Sequence, residues 1–388
     1  MNYICKVKVT GYSSRGEGVA RLPDGRVVFI NGAARADLLE IKLTEKRNRS
    51  VRGEILRILE PSPYRIEPVC PHYYICGGCD FRHITYEEEK RAKLQRVNDA
   101  MQRIGKLSLQ ASHVLSTGQI DGYRNKAVLH SNADAADAIG FYARQSHKII
   151  NINRCLLLKD DLNAALLSLT TRLPNNISDH SSCDFTLRTG RNGLEPPLEE
   201  ELDGLIFDVS GFFQINTGAA MLLCQEARKF ASIKPNETLF DLYCGVGLLT
   251  LFVGRDARYA LGVEINPGAV DAARRNALRN RLAHIEFMHS DAAKFHFDGA
   301  SKEKQMLKTT NPDCVIVDPP RKGLSSEAVR SIINLSPKRI VYISCDPASL
   351  ARDIRMISGY AAKDISIIDM FPRTANVECC CLLSATPP

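Results

Sequence analysis

The stretch Thr238-Leu-Phe-Asp-Leu-Tyr-Cys-Gly-Val-Gly-Leu-Leu-Thr-Leu251 decides the fold. An apolar run gives a strand, a glycine-rich turn follows, and a second apolar run begins a helix. Gly245 and Gly247 let the backbone close on a ligand at that helix N-terminus. Outward from it, strand-like runs recur at Leu261–Glu264, Ile285–Met288, Asp313–Val317 and Ile340–Ile343, with helical segments between them. Strand and helix alternate in this way from about residue 205, so a Rossmann-like α/β domain is expected over 211–388.

Four successive strand ends carry chemistry. Glu264 closes the second strand about 20 residues past the glycines, where a carboxylate accepts both hydroxyls of a ribose. Asp291 follows the third strand and suits an adenine edge. Asp318-Pro-Pro-Arg-Lys-Gly closes the fourth. A nicotinamide site carries G-x-G-x-x-G, but the third position here is Thr250. Asp241 ahead of the glycines and the Asp-Pro-Pro turn point instead to S-adenosylmethionine, whose cationic methionine end welcomes acids. The fifth strand runs into Ser344-Cys345-Asp346-Pro347, which sets a thiol at a strand end with a helix opening just beyond it. A free thiol is only a few per cent ionised near neutrality, and a helix N-terminus lowers its pKa.

Residues 1–60 alternate like half-buried strands, with a hairpin turn at Pro23-Asp24-Gly25 and a basic stretch at 45–52 that reads as a loop. A small barrel of the oligonucleotide-binding kind is expected there. Pro61, Pro63 and Pro68 mark a linker, and 61–210 reads as a central α+β domain. Within it Cys70, Cys76 and Cys79 have the spacing C-x5-C-x2-C, and Cys155 is the best fourth ligand. His72 competes for a zinc site, and thiolates alone do not separate zinc from an iron–sulfur cluster. A helix is expected from Tyr86 to Gly105, able to pack on the catalytic domain. Its Lys90, Arg91, Lys93, Arg96 and Arg103 read as a solvated face.

Composition narrows the class. The chain has 388 residues, 44% hydrophobic and 24% charged, ordinary for a soluble globular protein of two or three domains. No apolar run nears the ~20 residues of a membrane span, and the first residues lack a signal-peptide pattern, so a cytoplasmic location is expected. Thirteen cysteines then speak for reduced thiols, metal ligation or catalysis. A net charge of +7 fits a polyanionic partner.

Taken together, these motifs resemble the S-adenosylmethionine-dependent RNA 5-methyluridine methyltransferases. The match covers most of the chain: an N-terminal module similar to a TRAM domain, the four cysteines, Tyr-Arg-Asn-Lys (123–126), Gly-Phe-Tyr (140–142), Phe-Phe-Gln-Ile-Asn (212–216), Asp-Leu-Tyr-Cys-Gly-Val-Gly, Asp-Pro-Pro-Arg, Ser-Cys-Asp-Pro and Val377-Glu378. The resemblance implies a [4Fe-4S] cluster on Cys70, Cys76, Cys79 and Cys155, as in the family's ribosomal RNA members. It implies cofactor contacts at Gln214, Tyr243, Glu264, Asp291 and Asp318, with Cys345 as nucleophile and Glu378 as base. Leu248 is a departure, since members often carry Asn there and Leu offers the cofactor no polar atom. The expected partner is RNA, 23S ribosomal RNA ahead of transfer RNA, bound by a monomer with no membrane association.

Uracil carbon 5 is a poor nucleophile until a thiolate adds to carbon 6, and a base must afterwards remove the carbon 5 proton. Cys345 and Glu378 fit those two needs. An RNA cytosine-5 methyltransferase is the nearest rival, but its cysteine follows Thr or Pro, whereas Ser344 precedes Cys345 here. An adenine amino-methyltransferase carries an aromatic where this chain has Arg321. A non-catalytic RNA-binding or iron–sulfur protein is the rival from another class.

Overall fold

The computed structural model describes residues 3–47, 50–131, 139–172, 184–209, 213–293, 295 and 311–386. Asn48 and Arg49 of the basic stretch and Phe212 of the Phe-Phe-Gln-Ile-Asn motif lie outside the described residues.

In chain order the elements begin with β1 (Ile4–Tyr12), β2 (Gly18–Arg21), β3 (Val27–Ile30), β4 (Leu38–Arg47), β5 (Ser50–Glu60) and α1 (Tyr86–Ala100). Next come β6 (Val114–Leu115), β7 (Lys126–Ser131), β8 (Ile139–Tyr142), β9 (Ile149–Asn151), α2 (Asp160–Arg172), β10 (Asp184–Arg188), β11 (Glu199–Leu202) and β12 (Leu205–Asp208). Then follow α3 (Thr217–Ala231), β13 (Thr238–Leu242), α4 (Leu248–Gly254), β14 (Tyr259–Glu264), α5 (Pro267–Arg279), β15 (Ile285–His289) and β16 (Cys314–Val317). The chain closes with α6 (Ser326–Leu335), β17 (Arg339–Ser344), α7 (Pro347–Met356), β18 (Tyr360–Ile368) and β19 (Glu378–Ala385). These elements fall into two compact units. Met1–Lys93, Ile120–Leu187 and Phe371–Asn376 form one; Leu94–Gln119, Arg188–Met370 and Val377–Pro388 form the other.

In the first unit, β1–β5 close a barrel in the order β1-β2-β3-β5-β4. Alternation fills its interior with Val7, Val9, Val28, Ile30, Leu39, Ile41 and Val51. The basic stretch 45–52 is not the expected loop. Glu45 pairs with Arg52 and Lys46 with Val51, so the two strands continue through it. Charge alone does not mark a turn. The proline segment after β5 is likewise tied down. Arg65 pairs with Asp37 at 2.7 Å, and Asp37, fully buried, also accepts the Ser62 and Ala34 amides. Thr85 and Glu88 form the start of α1, the Thr85 hydroxyl accepting the Glu88 amide at 3.4 Å. Beyond α1, a turn of π-helix (Met101–Gly105) completes the helical run expected to Gly105. A four-stranded sheet, β10-β7-β8-β9, with α2 makes the rest of this unit.

In the second unit, eight strands run in the order β15-β14-β13-β16-β17-β19-β18-β6. β13 to β17 are parallel, and β13, β14, β16 and β17 are buried on both faces, which explains their nearly continuous apolar runs, while β15 at the edge alternates. β19 inserts antiparallel between β17 and β18. Val97, Ala100 and Met101 from the end of α1 join the core under this sheet. No helix among the described residues is long and apolar enough to cross a membrane.

Candidate active site

The chain winds from β13 outward to β14 and β15, then returns to β16 and β17 on the other side of β13. The strand order therefore reverses between β13 and β16, and open α/β sheets bind ligands outside the carboxyl ends at that point. Asp241, Glu264, Asp318 and Cys345 all stand at those ends, and Asp291 just beyond one of them. Because β19 is antiparallel, its first residue, Glu378, reaches the same edge.

Asp241 is fully buried. Its Oδ2 accepts the Thr250 hydroxyl at 2.6 Å, and its Oδ1 has no partner among the described residues. Burial, with Asp318 and Glu264 adding like charge, pushes its pKa up to about 7. Glu264 accepts the Gly245 amide at 3.1 Å and the Asn266 amide at 2.8 Å, which draws the glycine turn over the end of β14. Tyr243 takes a left-handed φ of 72° in that turn, uncommon for a residue with a Cβ. Gly247, at φ 85°, has no room for a side chain because a Cβ would meet Phe287 at 2.7 Å. A Cβ on Gly245 would meet nothing within 4 Å, so open space adjoins the turn. Asp291 faces Tyr243 and is tethered by accepting the Ala293 amide at 2.9 Å. Gln214, partly buried, stands two residues before Asn216, the cap of α3. Asn216 donates to the Met370 carbonyl at 3.2 Å, near Ile368, which pairs with Glu378. Leu248 is buried in the first turn of α4. An orphaned buried carboxylate oxygen, further acids and a bare backbone turn form a cradle that fits a cationic nucleoside such as S-adenosylmethionine.

Ser344, the last residue of β17, pairs with Cys379, the second of β19, so Cys345 and Glu378 each lie one residue beyond that pair. Cys345 is partly buried. Burial and the Glu378 charge raise its thiol pKa, Asp318 adds to this, and Arg321 opposes them. Glu378 is buried rather than on the surface, and burial with the Asp318 charge holds its pKa well above the usual carboxylate range. Asp318 is pushed up to about 7 by burial. Asp346 caps α7 by accepting the Ser349 amide at 2.8 Å, as Pro347 at the first helical position leads one to expect. Cys379, Cys380 and Cys381 are buried strand residues.

Two residues near this edge, Asp353 and Arg96, and Lys93 of the first unit escaped the sequence reading. Asp353, fully buried in α7, accepts the Tyr342 hydroxyl at 2.6 Å and the Leu324 amide at 2.7 Å, locking the loop after Asp318 onto the helix. No motif marks it. Arg96 and Lys93 are not part of a solvated face. Lys93 is 1% exposed and bound to Glu89 at 2.8 Å, and the Arg96 side chain, 23% exposed, reaches Asp346 at 3.7 Å. Among runs of like charge a buried cation has no distinguishing signal until its acid partner is seen.

In the first unit the four cysteines share one neighbourhood. Cys76 feels the charge of Cys70, Cys79 that of Cys155, and Cys155 that of Cys76. Burial raises the pKa values of the last three thiols, that of Cys79 to about 12. Gly78 donates its amide to the Cys76 sulfur at 3.4 Å. Arg82 and Arg124 face Cys79. The His72 carbonyl accepts the Cys76 amide at 2.7 Å. No three His, Cys, Asp or Glu side chains among the described residues are gathered closely enough to hold a metal ion as they stand.

Residues 207–386 match the family described as tRNA (Uracil-5-)-methyltransferase, and residues 4–56 match the TRAM domain. An uncharacterized RNA methyltransferase of Synechocystis sp. is 31% identical over 98% of this chain and 96% of its own. The chain belongs to the tRNA (uracil-5-)-methyltransferase family. It is thus an S-adenosylmethionine-dependent RNA (uracil-5-)-methyltransferase with an N-terminal TRAM barrel. An uncharacterized RNA methyltransferase of Clostridium acetobutylicum is likewise 31% identical, over 96% of the methyltransferase and 95% of that relative. Among solved structures, the Pyrococcus abyssi tRNA (uracil-54, C5)-methyltransferase in complex with S-adenosyl-L-homocysteine is similar to it. That chain matches with a TM-score of 0.75 at 22% identity, over 98% of the methyltransferase and 100% of the archaeal chain, a likeness of fold.

Proposed function

We propose that the enzyme methylates carbon 5 of a uridine in 23S ribosomal RNA through a temporary bond between Cys345 and the uracil ring, resolved by Glu378. The observation that carries this reading is that Cys345 and Glu378, one residue beyond the Ser344–Cys379 pair, stand at the edge holding Asp318 and Asp241, where Cys345 feels the Glu378 charge. In this reading the Cys345 sulfur adds to ring carbon 6, and carbon 5 becomes electron-rich. S-adenosylmethionine, when bound, supplies the methyl group as an electrophile. Asp241, Glu264 and Asp318 hold the donor's cationic and ribose ends, with Gln214, Tyr243, Gly245 and Asp291 around it. Glu378 then takes the carbon 5 proton as the carbon–sulfur bond breaks and the thiolate returns. Its raised pKa suits a base working near neutrality. Arg321 faces both Cys345 and Glu378 and stabilises negative charge on either of them.

The reading includes a [4Fe-4S] cluster on Cys70, Cys76, Cys79 and Cys155. A mononuclear zinc site with bonds of about 2.3 Å draws its sulfurs to roughly 3.8 Å of one another. The two guanidinium groups of Arg82 and Arg124 near Cys79 and the Gly78 amide on the Cys76 sulfur are donors of the kind an anionic cluster core uses. Ribosomal RNA is favoured because the resemblance at these four cysteines is to the family's ribosomal RNA members. Transfer RNA is the second reading, favoured by the tRNA (uracil-54, C5)-methyltransferase that shares the fold over nearly the whole chain.

RNA carrying 5-fluorouridine tests the chemistry, because fluorine cannot leave as a proton. With S-adenosylmethionine present, a stable protein–RNA adduct should form and vanish in Cys345→Ala. Glu378→Gln should accumulate the adduct on ordinary RNA; rapid turnover by that variant would remove Glu378 from the mechanism. Mapping 5-methyluridine in cells lacking the protein decides between the two RNAs.

A further inference from the structure

Cys345 sits in a site that opposes the charge it needs. Glu378 on β19 and Asp318 after β16 both disfavour a thiolate, and Asp346 stands next to it in the chain. Two cations face them: Arg321, after β16, and Arg96, from α1. Arg321 is on the exposed loop. Arg96 is held far more firmly. It lies one residue before Val97, which with Ala100 and Met101 is buried in the core under the sheet. The end of that helical run is fastened to α7, the helix Asp346 caps. Arg355 donates to the Ile104 carbonyl at 3.2 Å, and a Cβ on Gly105 would stand 3.4 Å from that of Ala351.

We propose that Arg96 is a positioning residue of the reaction, its guanidinium tethering Asp346 and supplying the fixed positive field in which the Cys345 sulfur carries its charge. The inference rests on Cys345 being the nucleophile. An exposed ion pair at 3.7 Å stabilises little. Here the pair is partly shielded from water, and the guanidinium also faces Cys345 and Cys379. A guanidinium stays charged even where burial works against it, which a Lys in the same place does less securely.

The test is the rate at which iodoacetamide alkylates Cys345 in the iron-loaded full-length protein, read on the Cys345 peptide by mass spectrometry across a pH series. Arg96→Met should slow alkylation about tenfold near neutral pH, a one-unit rise in the midpoint. Arg96→Lys should recover most of the loss. Asp346→Asn, which keeps the helix cap, should move the midpoint the other way. A profile for Arg96→Met that superimposes on the wild type overturns the proposal, as does a rise in Asp346→Asn matching that of Arg96→Met. If Arg96→Met does not fold, Arg96→Gln and Asp346→Asn carry the same opposed signs. Alkylation reads the sulfur's charge whether or not it attacks uracil, and the fluorouridine adduct tests attack separately. A normal pH profile without an adduct therefore refutes the nucleophile and not the field.

Discussion

Thr250 stands where a nicotinamide-binding turn would have its third glycine, and its hydroxyl goes to Asp241. That one contact gives the residue at this position a role a glycine could not fill, and in the proposed reading the acid it holds is the one the cationic donor meets. Asp241 and Asp318 both have pKa values pushed up to about 7, against 3.8 for an unburied aspartate. The folded chain therefore binds extra protons between those values. The stability this contributes is lost as pH rises toward 7. The same rise charges both acids and favours the donor. S-adenosylmethionine should thus raise the melting temperature more at pH 8 than at pH 6, by scanning fluorimetry, and Asp241→Asn should flatten that difference. The acids and the thiol were legible as types at strand ends. Asp353 and Arg96 were not, because their meaning lies in partners that sequence spacing does not reveal.

Elements fix where those residues point. The parallel strands bring Asp318 near the thiol, and antiparallel β19 adds a second acid, Glu378. The register of β19 is held from both sides, Cys381 pairing with Tyr342 of β17 and with Ile365 of β18. The strand and its buried cysteines were readable from apolar content; its direction and position between β17 and β18 were not, because pairing order is a long-range property. Gly247→Ala should destabilise the second unit by about 2 kcal/mol, because a methyl group is driven onto Phe287 at a left-handed φ. Urea unfolding measures this. In the barrel, Asp37→Ala leaves Arg65 beside a buried hole and two amides unpaired, and should cost about 3–5 kcal/mol. Charge patterns misled at this scale, since 45–52 continues two strands and Lys93 is in the interior.

For the whole molecule, RNA affinity should fall linearly on a log–log salt plot. Lys6 and Lys8 are exposed on β1, and replacing both with Glu should weaken binding and reduce the slope by about 0.7 for each phosphate the barrel no longer neutralises. Purified anaerobically, the protein should be brown with about four irons per chain. Stoichiometric zinc without visible absorbance would count against the cluster.

The route of the chain through its two units has a further consequence. Phe371–Asn376 belongs to the first unit, held there by the Asp80, Glu89, Lys93 and Tyr123 side chains, and Glu378 follows after a single intervening residue. Two neighbouring stretches of chain thus complete different units, the segment Phe371–Asn376 in one and strand β19 in the other. A backbone cut just before Phe371 would take a piece from each unit at once, and both would become clients for chaperones and proteases.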